Sequence, residues 1–197
     1  MVTFDQIAHN ESIKTYIRKA DDALRVLGYT EHSFAHVTKV ARKAREILLT
    51  LGYPERTAEL AQIAGYLHDI GNVINRADHA QSGAVMAFRI LDKLGADAED
   101  TATIISAIGN HDEGTAVAVD AVAAALILAD KTDVRRSRVR NRDMATFDIH
   151  DRVNYAVEEA STEISPAKSM NTLRIRIDTA RAAVMDYFEI LPQRMLL

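Results

Sequence analysis

The sequence predicts a mainly α-helical bundle, closed by a small C-terminal β-hairpin and a final helix. Three observations carry this. Apolar residues recur at three-and-four spacing through most of the chain. Glycines, together with Pro54, interrupt that pattern at helix-sized intervals. After about residue 155 the period changes to strand alternation.

The first helix is expected over about 5 to 27, with Ile7, Ile13, Ile17, Leu24 and Leu27 as its apolar residues and Gly28 as its stop. Residues 33 to 51 place Phe34, Val37, Val40, Ala41, Ala44, Ile47, Leu48 and Leu51 on one stripe, ended by Gly52. Pro54 sits near the first turn of the next helix, about Glu55 to Asp69, whose inner face is Leu60, Ile63, Ala64 and Leu67 and whose stop is Gly71. Two more helices follow, at about 79 to 94, ending at Gly95, and at about 97 to 110. "AVDAVAAALILADKTDV" then reads as a largely buried helix with Asp130 near its end, continuing towards Arg135 and Arg138. In "LRIRID", Leu173, Ile175 and Ile177 alternate with Arg174, Arg176 and Asp178. "VEEASTEIS" is the partner strand across a turn containing Pro166 and Asn171. "TARAAVMDYFEIL" forms the last helix, ahead of Pro192 and an apolar "MLL" that docks on the body or on a neighbouring subunit, unless the chain is cut short there.

With 197 residues, three prolines and eight glycines, the chain has material for one compact domain. Its apolar share is 48%, yet no stretch approaches ~20 uncharged apolar residues, and no basic region precedes an apolar block at the N-terminus. A soluble, unexported, cytoplasmic protein without a membrane partner is expected. Cysteine is absent, so any metal must be held by imidazole and carboxylate. The formal charge of −4 offers no general attraction to a DNA or RNA polymer, although "DKTDVRRSRVRNR", residues 130 to 142, is locally basic. A basic patch on an acidic protein suits a small anionic ligand.

The chemistry concentrates where helices begin or end: at His36, the adjacent His68 and Asp69, His79, His111 and Asp130. Each sits beside apolar sequence, and neighbouring buried ionisable groups are costly unless something pairs with them. A divalent cation is the simplest partner, since imidazole and carboxylate bind such ions well and several helices hold their ligands rigidly. Four ligands serve one ion, whereas four histidines and two aspartates suffice for two. His32, four residues before His36, reads as a surface histidine, with a ligand or an outer partner as alternatives, and Glu113 as an orienting group or an idle loop acid. His9 reads as surface. His150 and Asp151 form a second His-Asp pair after polar sequence and read as an accidental match.

The ordered set "HVTKVA", "LHDIGN", "DHAQSGA", "GNHDEG" and "LADKTD", over about residues 30 to 140, resembles the HD superfamily of metal-dependent phosphohydrolases. The resemblance implies an HD-domain helical bundle over residues 1–155, with its core at about 30–140, and a hairpin plus C-terminal helix, 156–197, packed on the same domain. It implies that His36, His68, Asp69 and Asp130 hold a principal divalent ion, with Asp69 bridging to a second ion held by His79 and His111. Fe, Mn, Co, Ni, Zn and Mg are equally compatible. Many relatives carry a phosphate-holding lysine where this chain has Asn72, so Lys131, with Arg135 and Arg138, becomes the candidate for that role.

The expected reaction is metal-assisted hydrolysis of a phosphomonoester or phosphodiester, a nucleotide by analogy with the family. Catalysis would rest on Asp69, with Lys131 and Arg135 neutralising the non-bridging oxygens. Two other readings keep the same residues: an HD-fold di-iron oxygenase, and a non-catalytic nucleotide-sensing domain. Spacing does not encode oligomeric state, and a homodimer stays open.

Overall fold

The computed structural model describes residues 1–190 except 113, 115, 166, 168 and 169. Its helices are α1 (Phe4–Ala8), α2 (Glu11–Val26), α3 (Phe34–Thr50), α4 (Glu55–Leu67), α5 (His79–Lys93), α6 (Ala98–Gly109), α7 (Ala121–Lys131), α8 (Ile149–Ala156) and α9 (Val184–Ile190). Short 3₁₀ turns lie at Ile70–Val73, Arg136–Arg138 and Met144–Thr146. Strands β1 (Val157–Ser165) and β2 (Met170–Ile177) pair antiparallel, with Leu173 opposite Thr162 and an irregularity between Val157 and Glu159. The helical bundle with a hairpin and a final helix is the predicted class.

Several boundaries differ from the sequence expectation. The helix expected over 5 to 27 is two helices, because the Asn10 side chain accepts from the backbone N–H of Ser12 and Ile13 and restarts the chain there. Helix α7 stops at Lys131 instead of continuing to Arg138, and Arg135 is fully extended at φ −163° and ψ 145°. Asn171 belongs to β2, opposite Ile164, not to the turn. The last helix starts at Val184 because the Asp178 carboxylate accepts from Ala180 N–H and turns residues 178–182 first. Pro166 and the "MLL" tail lie outside the described residues.

One core joins α1 to α7, with Ile13, Leu48, Ile63, Leu67, Leu91, Ile104 and Leu126 at its centre. Helices α3 and α4 cross there at backbone contact: a Cβ added at Gly65 would lie 2.9 Å from the Ala41 Cα. The 3₁₀ turn after α4 sits as close to α5, where a Cβ on Gly71 would meet the His79 carbonyl oxygen at 2.0 Å. A second, smaller cluster of Val134, Val153, Val157 and Tyr187 ties the segment after α7 to α8, the hairpin base and α9.

Candidate metal centre

Helices α3 to α7 each bring one end to a single place. His36 comes from the first turn of α3, His68 and Asp69 follow α4, His79 opens α5, His111 follows α6 and Asp130 lies in the last turn of α7. The four histidines and Asp69 are buried, and the Asp130 side chain is 14% exposed. The two close glycine approaches set this spacing: Gly65 lets α3 and α4 bring His36 beside His68, and Gly71 lets α5 bring His79 beside Asp69.

Each ring is held through Nδ1, leaving Nε2 turned inward. His68 Nδ1 meets the Gly65 carbonyl at 2.9 Å, His111 the Ile108 carbonyl at 2.6 Å, His79 the Arg76 carbonyl at 3.1 Å, and His36 the Asp133 carboxylate at 2.8 Å. A ring that donates Nδ1–H outward presents an Nε2 lone pair inward, the tautomer a metal ligand needs. His36 Nε2 lies 3.2 Å from Asp130 Oδ1 and 3.5 Å from Asp69 Oδ2. His68 Nε2 lies 3.1 Å from Asp69 Oδ2 and 3.7 Å from Asp130 Oδ1, and His79 Nε2 lies 3.6 Å from Asp69 Oδ1. Ligand atoms ~2.1 Å from one ion are about 3.0 to 3.4 Å apart; the His36–Asp130 and His68–Asp69 separations fall in that range, and the other three are up to a few tenths of an ångström longer.

His36 Nε2, His68 Nε2 and Asp69 Oδ2 are buried with no hydrogen-bond partner. Orphaned donors and acceptors at such depth are costly, and a bound cation relieves all three at once. Two overlapping groups lie close enough together to hold an ion among the described residues: His36, His68 and Asp130, and His68, Asp69 and His111. They contain five of the six expected ligands, and the sixth, His79, belongs to neither group but approaches Asp69 at 3.6 Å. Electrostatics agree with the donor set. Burial pushes the His111 imidazole down to about 3, so it is neutral and ready to ligate. Burial alone would raise Asp69 and Asp130, but His68 beside the first and Lys131 beside the second hold both carboxyls well below the usual carboxylate range.

A cavity of about 380 Å³ opens at the centre, lined among others by Asp69, His79, His111 and Asp130. Lys131 lines it too, with its ammonium 2.8 Å from Asp130 Oδ2. Arg138 contributes to the wall while bonding the carbonyls of Glu31 and Asp133. Arg135 is not among the described lining residues; its guanidinium joins Asp133 to Glu31. Glu113 lies outside the described residues.

Some lining residues were missed by sequence reasoning. Asp133 is buried behind His36, where it also takes Lys39 at 2.7 Å. Asn72 donates to the Asp69 carboxylate at 3.0 Å, and Arg76, four residues on, reaches Asn72 at 3.3 Å and lines the cavity. Arg76 thus places a positive charge beside Asn72. His32 is half-buried in the cavity wall, its ring meets His36 edge-on with centroids 5.3 Å apart, and burial lowers its pKa. Of the second His-Asp pair, His150 is exposed as expected while Asp151 is buried, and both border the same cavity.

Comparison with known proteins places this centre. The chain is 25% identical over 95% of its length to the uncharacterized protein MJ1020 of Methanocaldococcus jannaschii, covering 79% of that protein. It superposes with a TM-score of 0.51, at 27% identity, on the crystal structure of a predicted HD superfamily hydrolase from an uncultured Thermotogales bacterium, over 67% of this chain and 72% of that one. The HD domain family model matches residues 33–152, the span that holds all six gathered ligands, and the chain belongs to the HD domain family.

Proposed function

We propose that this protein is a metal-dependent hydrolase of phosphate esters. The observation that carries the reading is the trio of orphaned buried atoms, His36 Nε2, His68 Nε2 and Asp69 Oδ2, of which Asp69 lines the cavity. The resemblance to a predicted HD superfamily hydrolase supports it. His36, His68, Asp69 and Asp130 would hold one divalent ion, and His79 and His111, with Asp69 shared, a second. Divalent ions in such a centre activate water at neutral pH and offset charge on a phosphoryl group. Lys131, Arg76 and Arg138 attract and orient the anionic ester, while Asn72 fixes the Asp69 carboxylate through Nδ2.

Six nitrogen and oxygen ligands would serve a di-iron oxygenase equally well, but Arg76, which lines the cavity with its guanidinium 3.4 Å from His79 Nε2, favours an anionic, phosphorylated substrate at the centre. The basic stretch after Asp130 does not favour a separate sensing surface, because Arg135 and Arg140 are engaged by Glu31, Asp133 and Asp21. The test is phosphate release from a panel of monoesters and diesters by metal-stripped protein reloaded with Mn, Co, Fe, Ni, Zn or Mg. Turnover restored by metal supports the reading. Silence across the whole panel, or turnover that needs oxygen and releases no phosphate, overturns it.

A further inference from the structure

His79 differs from His36 and His68 in what its inward nitrogen touches. Those two keep Nε2 buried and without a hydrogen-bond partner. His79 Nε2 instead lies 3.4 Å from Arg76 Nη1, while Nδ1 of the same ring meets the Arg76 carbonyl at 3.1 Å. A carbonyl only accepts and a guanidinium only donates, so Nδ1 carries the proton and Nε2 accepts from Arg76. One residue holds both nitrogens of the ring, with its main chain on one side and its side chain on the other.

A neutral imidazole offers one lone pair. It can take a hydrogen bond from Arg76 or bind an ion, not both, and a guanidinium next to a divalent ion adds like-charge repulsion. The two ion positions therefore start from different states. An ion placed among His36, His68, Asp69 and Asp130 relieves orphaned atoms, whereas an ion reaching His79 must break a bond that already exists. His79 also stands outside both groups that lie close enough to hold an ion.

Arg76 can give way without disturbing the core. It is half-buried, between the exposed Asn75 and Ala77 in the irregular stretch ahead of α5. Among the described residues no carboxylate forms an ion pair with it. Its other partners are the Asn72 side-chain oxygen at 3.3 Å and the Tyr29 ring, whose centroid is 5.6 Å from Cζ, and Tyr29 lines the same cavity. A guanidinium that leaves His79 keeps a seat on that ring.

Resting on the two-ion assignment, we infer that Arg76 is a resident cation at the second ion position, bonded to His79 Nε2 until an incoming ion displaces it. The centre then fills in order. The first ion takes His36, His68, Asp69 and Asp130, and the second enters only as the guanidinium leaves. The displaced guanidinium stays on the cavity wall beside Tyr29, placed to meet an anionic ester. By linkage, an anion that engages Arg76 there strengthens the second ion, and the second ion strengthens the anion.

The experiment is a calorimetric titration of the metal-stripped full chain with Zn, repeated on Arg76→Ala. That substitution keeps the main-chain carbonyl on His79 Nδ1, so the ring stays oriented. The second ion should bind about tenfold or more tighter in the variant, the worth of a hydrogen bond from a charged group, while the first stays within about threefold. Long-range proton–nitrogen NMR spectra of the metal-free proteins read the bond directly: the His79 Nε2 resonance should move on substitution, and those of His36 and His68 should stay. Equal tightening of both ions would reduce Arg76 to a remote charge, and a second ion unchanged or weakened would make it a support of the site. Either result, or an unmoved His79 Nε2 resonance, would overturn the inference while leaving a two-ion centre. One ion per chain in both proteins under metal excess would remove the two-ion assignment itself.

Discussion

Replacing Asp133 tests whether the outer partner of His36 tunes the centre. Its carboxylate accepts from His36 Nδ1 at 2.8 Å and from Lys39 and Arg135 at 2.7 and 3.1 Å, and its side chain is only 1% exposed. Burial opposes its charge, but the bond to His36 and nearby Arg138 outweigh burial and keep its pKa far below the usual range. A permanent anion behind the ring fixes Nδ1–H and makes Nε2 the more basic atom. Loss of such a partner weakens metal affinity by about 10- to 100-fold, or ~1.4 to 2.7 kcal/mol. Asp133→Ala should show this loss for one ion per chain, while an ion held by His79 and His111, whose rings lean on carbonyls, stays within about threefold. Asp133→Asn keeps an acceptor without the charge and should fall between. Calorimetric titration of stripped protein gives the affinities, and melts in chelator report the fold separately. A folded Asp133→Ala protein that binds both ions as wild type does would refute the argument.

Asp69→Ala should abolish metal retention and turnover while keeping helical circular dichroism, because its carboxylate lies between His36, His68 and His79; metal analysis by mass spectrometry checks it. Wild type should take up about two ions per chain and a His79→Ala/His111→Ala variant about one, whereas a merely structural role for the two rings predicts lost stability at unchanged metal count. Gly71→Ala forces a Cβ onto the His79 carbonyl and should cost ~1 to 3 kcal/mol in a chemical melt, with weakened uptake of the second ion. Metal-free protein should lose stability on acidification below about pH 6.5. Folded His111 stays neutral down to about 3 while the unfolded chain takes up a proton, so stability falls by ~1.4 kcal/mol per pH unit in that window. His68, raised by Asp69 and Asp130 against its burial, opposes part of this, and lowered Asp69 and Asp130 add to it at lower pH. His32 and His79, lowered by burial as well, add to the loss, so the gap between melts at pH 7 and 5 should narrow in His111→Gln without closing.

Much of this centre is legible in the sequence because its ligands sit at helix ends, and helix ends are what periodicity and glycine stops mark. His36, His68, Asp69, His79, His111 and Asp130 are found that way. Asp133 escapes because it reads as one more turn of α7, although its three-residue spacing from Asp130 was a usable signal. Arg76 escapes because it sits in the irregular stretch between the 3₁₀ turn and α5, where no period exists. The α8 wall is hidden for a different reason: Val134 and Val153 bring it to the cavity through the second hydrophobic cluster, a contact between segments about twenty residues apart that no local pattern announces. The break at Asn10 was visible, since an asparagine ahead of "ESI" is an N-cap signal, but the apolar stripe running across it masked it.

The backbone contact between Gly65 and Ala41 gives the centre a kind of insulation. Where helices are spaced by bulky side chains, each exchange of a leucine for a valine shifts them and whatever they carry. Here the main chains themselves act as the stop, and His36 and His68 lie within about a turn or so of it. Volume changes elsewhere in the core can then lower the melting temperature while the distance between those two imidazoles hardly moves. Drift in the outer core and fidelity at the metal are thus separable in this bundle, and the position that couples them at this crossing, Gly65, must keep a hydrogen atom for a side chain.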